Sequence, residues 1–140
     1  MKSQYNSQEE VNKLREVRAL KRLSSFSNII NLIEVLYDEE TKRLALVFEL
    51  MEMNLYEAIK GRKKFLKEEK VKNWIFQILT SLNYMHRNGI FHRDIKPENI
   101  LLKNNTNIKL ADLGHVKEYM VNNHLQNIYQ QDGIEHQNVF

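Results

Sequence analysis

The stretch His92-Arg93-Asp94-Ile95-Lys96-Pro97-Glu98-Asn99, followed twelve residues later by Asp112-Leu113-Gly114, decides how this chain is read. Asp94, Lys96, Asn99 and Asp112 fall on loops flanking two short strand-like runs, 99–102 and 108–111, joined by the turn Lys103-Asn104-Asn105-Thr106. Two carboxylates, an amide and an ammonium in that order suit a divalent cation and a phosphate better than they suit an apolar core. Mg2+ takes carboxylate and carbonyl oxygens and is commonly shared with substrate phosphates. Any one of the four, taken alone, is best read as surface-loop polarity. The ordered set is not.

Working outward, the helical signal is clearest over residues 67–87. Val71, Trp74, Ile75, Ile78, Leu79, Leu82 and Met85 repeat at three- and four-residue steps, and Asn88-Gly89 stops the run. That face needs cover, and Trp74 fits core packing. Upstream, Asn54 is a helix cap for a short helix through Lys60, ended by Gly61. Residues 29–37 and 44–48 read as an antiparallel hairpin across the polar link 38–43. Ser7-Gln8-Glu9-Glu10 has the form of a capping box. It opens a helix in which Val11, Leu14, Val17, Leu20 and Leu23 share a face, with Glu16 beside it. After Gly114 the chain turns rich in Asn and Gln, and 115–140 reads as a divergent, loosely helical or disordered tail.

Composition sets the outer bounds. The 140 residues suffice for one core, and 42% apolar with 28% charged residues is ordinary for a globular domain. There is no cysteine, hence no disulfide and no thiolate zinc site. No apolar run approaches the roughly 20 residues of a membrane span, and the first residues lack the apolar core of a secretory signal. A cytoplasmic or nuclear location is expected. The net charge is +3, and the Lys21-Arg22 and Arg62-Lys63-Lys64 clusters have acidic neighbours, so they read as solvated faces rather than a nucleic-acid or membrane surface. His86, His115, His124 and His136 show no ligand spacing.

The ordered polar set resembles the protein-kinase catalytic loop, His-Arg-Asp with Asn following, and then the metal-binding Asp-Phe-Gly. The resemblance covers about residues 8–114. "LREVRALKRL" resembles helix C of the cyclin-dependent and MAP kinase group, "LALVFELMEMNLYEAI" the strand, hinge and helix D, and "MHRNGIFHRDIKPENILL" the end of helix E and the catalytic loop. Within that group the wording is most like the MAK/MOK branch. The implied fold is α+β, a partial protein-kinase fold. Residues 1–50 would be a small-lobe remnant with helix C and two strands, and 51–114 the start of the large lobe.

The same resemblance implies the chemistry, with ATP and Mg2+ as cofactors and a Ser/Thr protein kinase by family. Asp94 would accept or orient the substrate hydroxyl proton. Lys96 would steady the γ-phosphate, a Ser/Thr feature. Asn99 and Asp112 would hold Mg2+. Glu16 would be the glutamate that pairs with a small-lobe lysine, and Arg93 would await an activation-loop phosphate. Phe48 would be the gatekeeper, the backbones of Glu49 and Met51 would meet adenine, and Leu101 would pack beneath it. Leu20, Leu32, His92 and Leu113 would form a packed column, with Leu113 in place of the usual Phe. Partners would be a protein substrate presenting Ser or Thr and a regulatory protein at helix C.

The chain departs from the pattern at both ends. Only ten residues precede the helix C apolar pattern that begins at Val11, with no glycine and with Lys2 as their sole lysine, so Glu16 has no evident partner. No Ala-Pro-Glu follows Gly114, and Pro97 is the only proline. The expectation is therefore a truncated chain that transfers no phosphate by itself. The alternatives are a non-catalytic isoform or pseudokinase-like interaction module, and a gene-model fragment.

Overall fold

The structure is a computed structural model and describes residues 7–119. Lys2 and the tail beyond Tyr119 lie outside the described residues. Ser7 caps the first helix by accepting the Glu10 N–H at 3.3 Å. The single helix expected from the apolar pattern is instead two, α1 (Gln8–Asn12) and α2 (Arg15–Leu23). Leu14 breaks them apart with an extended backbone, φ −57° and ψ 134°. The break has a packing reason. Six residues of straight helix would set Val11 and Val17 about 120° apart. With the turn between them, both are fully buried.

The hairpin forms as β1 (Leu32–Asp38) and β2 (Arg43–Phe48), antiparallel with Asp38 opposite Arg43. Asp38 closes the turn through the N–H groups of Glu40 and Thr41 and the Thr41 hydroxyl. The expected first strand began at 29. Instead residues 28–30 leave the hairpin and pair elsewhere: Leu110 N–H donates to the Asn28 carbonyl and Ile30 N–H to the Leu110 carbonyl, both at 2.9 Å. One apolar run thus serves two sheets.

The second sheet has the order β3 (Met53–Asn54), β5 (Ile100–Lys103), β6 (Asn107–Leu110), all antiparallel. Asn104 and Asn105 supply the positive-φ turn between β5 and β6. Asn54 caps α3 (Leu55–Ile59) in a reciprocal capping box with Glu57. The long helix is α4 (Glu68–Arg87), ended by Asn88 and the positive-φ Gly89. Trp74, Ser81 and Met85 face the core. The expected stripe is not wholly buried: Ile75 and Leu79 stay 50% and 60% exposed, beside Phe76 at 68%. Polar side chains hold α4 to the sheet. Gln77 Oε1 accepts from Asn28 Nδ2 and the Ile108 N–H, and Ser81 Oγ donates to the Asn28 and Gln77 carbonyls.

A third, two-stranded sheet joins β4 (Ile90–Phe91) to β7 (Lys117–Glu118), antiparallel. Residues 115–119, assigned by sequence to a divergent tail, therefore belong to the fold. Arg18 on α2 pairs with Glu118 at 3.2 Å. The core cluster runs from Leu20 and Leu23 through Ile29, Ile30 and Trp74 to Leu110 and Leu113, so α2, the sheet and α4 close around the loops that carry the polar set.

Candidate active site

The loop after β4 is fixed first by a histidine. His92 is buried, and its Nδ1 accepts the Asp94 N–H at 3.3 Å. The ring proton therefore sits on Nε2, which donates to the Ala111 carbonyl at 2.9 Å. Burial holds its pKa below the usual histidine range, against the opposing pull of the Ala111 carbonyl and the charges of Asp112 and Asp94. A neutral ring thus joins the residue 94 loop to the residue 112 loop.

Asp94, Lys96 and Asn99 then meet within a few residues. Pro97 starts a short 3-10 turn, Pro97–Asn99, which folds Asn99 back on the loop. Asn99 Nδ2 donates to the Asp94 backbone carbonyl at 2.9 Å and to Asp94 Oδ2 at 3.0 Å. Lys96 Nζ reaches the same Oδ2 at 2.6 Å. The Lys96 hydrogen bond holds the Asp94 carboxyl below the ordinary carboxylate range despite some desolvation, and Asp94 in turn raises Lys96. With its nitrogen committed, the Asn99 amide keeps its oxygen free to ligate, which suits a hard cation. Arg93, at φ 68°, donates from Nε to the His115 carbonyl.

Asp112 lies across from this cluster in a left-handed backbone, φ 60° and ψ 70°, its side chain accepting the Gly114 N–H at 3.4 Å. Aspartate tolerates that conformation better than most residues. Gly114 is needed for space: a Cβ there would sit 3.3 Å from Asp112 Oδ1 and 3.9 Å from Glu16 Oε2. Glu16 thus approaches the same corner from α2. Burial raises its pKa, the Asp112 charge adds to this, and His115 opposes it. Leu20, Leu113 and His92 are all buried, and Leu32 packs on the edge of their cluster.

A cavity of about 470 Å³ opens beside Asp112. Of the residues expected to meet a nucleotide, Phe48, Glu49, Met51 and Leu101 all line it, and Glu16 and Asp112 mark its acidic end. Asp94, Lys96 and Asn99 lie outside the lining, linked to it through Asp112, whose charge acts on Lys96. Sequence reading did not find Ile30, Leu50 or Met53 in this wall. Leu50 is 90% exposed, a position that no periodicity marks. The Met51 N–H, at the rim, has no acceptor among the described residues. The volume suits a cofactor-sized ligand, for which roughly 300–1,000 Å³ is usual. Apolar walls, a free peptide N–H and carboxylates at one end fit a flat base with a metal-bound phosphate chain. Among the described residues no group of three or more His, Asp and Glu gathers for a metal, so a cation here would need ligand oxygens as well.

The polar loop thus lies beside a cavity with apolar walls and with the Glu16 and Asp112 carboxylates in its lining. The protein kinase domain family model matches residues 1–132, and the chain belongs to that family. It is 51% identical to the human MAPK/MAK/MRK overlapping kinase over 114 residues, covering 81% of this chain and 27% of the relative. It is 47% identical to cyclin-dependent kinase F-4 of Oryza sativa subsp. japonica over 118 residues, covering 84% of this chain and 25% of the relative. The mouse serine/threonine-protein kinase MAK is 42% identical over 118 residues, 84% of this chain and 18% of the relative. The chain therefore spans about a quarter or less of the length of these relatives.

Proposed function

We propose that this chain carries the catalytic loop of a Ser/Thr protein kinase, which moves the γ-phosphoryl group of ATP to a protein hydroxyl. The observation that carries the reading is the Asp94–Lys96–Asn99 cluster, tied through His92 to the carbonyl of Ala111, the residue before Asp112 in the cavity wall. When bound, ATP would supply the phosphoryl group and Mg2+ would neutralise charge on its oxygens. The Asn99 amide oxygen and the Asp112 carboxylate would hold that metal. Asp94, kept ionised by Lys96, would orient the incoming Ser or Thr hydroxyl and take its proton as the new oxygen–phosphorus bond forms and the bond from the γ-phosphorus to the bridging oxygen breaks, releasing ADP. Lys96, held 2.6 Å from Asp94 Oδ2, would steady the transferring phosphate. Phe48, Met51 and Leu101 would enclose the base, and α2, which carries Glu16, offers a face to a regulatory protein.

The test uses the protein that carries this sequence. Asp94→Asn should lower γ-phosphate transfer to a protein substrate by about 10²–10⁴-fold. Undiminished turnover would defeat the assignment. The open apolar face of α4 favours a second reading, an interaction module that binds a partner without turnover.

A further inference from the structure

Glu49 begins the segment joining β2 to β3, and its side chain is locked more firmly than a linker needs. Oε1 accepts the Asn31 N–H at 2.9 Å and Lys109 Nζ at 2.6 Å, while the Glu49 N–H donates back to the Asn31 carbonyl at 3.2 Å. Lys109 Nζ also lies 3.4 Å from the Ile29 carbonyl. Glu49 and Lys109 are only 17% and 16% exposed, whereas Lys103, the other cation facing Glu49, stands 3.7 Å from Oε2 and is half in solvent. Lys109 sits on β6 directly opposite Leu101, the cavity-lining residue of β5. One ammonium thus ties together the sheet beneath the cavity, the 29–31 segment behind it and the start of the hinge.

The far end of the hinge is held separately. The Glu52 N–H donates to the Leu102 carbonyl at 3.1 Å, and Glu52 Oε1 accepts the Asn104 N–H at 3.1 Å. Between these ties, Leu50 is exposed to solvent and Met51 lines the cavity.

We infer that Lys109 is a positioning residue for the nucleotide: through Glu49 it fixes where the hinge peptide meets the base, without touching the ligand itself. This rests on the reading of the cavity as an adenine-nucleotide site. A half-buried ion pair that only stabilised the fold would act on the whole domain. This pair spans the three segments that set the distance between hinge and cavity floor, so its loss acts there first. Burial tends to raise the Glu49 pKa, but the Lys109 and Asn31 hydrogen bonds and the two lysine charges outweigh it, so the clamp stays ionised at neutral pH.

Three variants of the chain test this: Lys109→Met, Lys109→Arg, and the double variant Glu49→Gln/Lys109→Met, which leaves no unpaired buried charge if the single variant unfolds. Amide hydrogen exchange without ligand, and fluorescence titration with a mant-labelled ADP, are the two readouts. Lys109→Met and the double variant should speed exchange at residues 49–51 by about tenfold or more while β5 and β6 stay protected, with Lys109→Arg restoring protection. Nucleotide affinity should fall by about tenfold in the same variants and recover in Lys109→Arg. Unchanged exchange at 49–51 would overturn the clamp, and faster exchange with unchanged affinity would overturn its positioning role. If the unmodified chain binds no mant-ADP, the nucleotide reading fails for this chain, and the exchange data still decide the clamp.

Discussion

His92 shows how one buried titratable side chain can organise two loops. It is neutral because water cannot reach it, and neutrality lets Nδ1 accept from Asp94 while Nε2 donates to Ala111. In the folded chain its pKa lies below the ordinary histidine value of about 6.5, which the unfolded chain keeps. As pH falls through about 6.5 the unfolded chain gains a proton that the folded chain refuses, so stability drops until the folded pKa is reached. His92→Gln, which retains a donor for Ala111, should remove most of the stability lost between about pH 7 and pH 5 in urea titrations. Glu16, raised by burial, titrates with the opposite sign in both proteins and cancels in the comparison. At this scale the Asp94–Lys96–Asn99 cluster was legible, because its members lie within six positions of one another and a single 3-10 turn brings them together. Lys109 was not. It looks like one more strand lysine until the fold puts Glu49, sixty residues earlier, 2.6 Å away.

Each secondary-structure element follows a local rule where its ends carry a signal. Asn54 and Glu57 satisfy each other's N–H groups at 2.8 and 3.0 Å, and α3 starts there as the sequence requires. Asn54→Ala should cost about 0.5–2 kcal/mol, read from the midpoint of chemical unfolding, because the Glu57 N–H loses its side-chain acceptor. Where no cap marks a boundary, packing decides it. The break at Leu14 has no glycine or proline, and the departure of residues 28–30 from the hairpin follows from the free edge of β6 rather than from their own propensity. Strands of two residues, such as β3, β4 and β7, are too short for any alternation to show.

Among the described residues, one face of α4 stays open. Ile75, Phe76 and Leu79 form an apolar patch on a helix whose other side is buried against the sheet. Phe76→Ser with Leu79→Gln should lower concentration-dependent self-association in analytical ultracentrifugation and leave the thermal midpoint within about 2 °C, because exposed positions contribute little to folding. An unchanged association profile would count against this face as a contact surface, and so against the interaction-module reading. From the sequence alone came the hairpin, the long helix, the capped α3 and the Asp94–Lys96–Asn99 cluster, because each rests on local pattern and spacing, while the α+β class followed from the family resemblance. Tertiary structure decided the rest: the split of α1 from α2, the cavity with Leu50 at its rim, the approach of Glu16 to Asp112, and the Lys109 tie. All of these join residues far apart in the chain. A charge or an apolar side chain carries no mark of which distant partner will reach it until packing has fixed the distance.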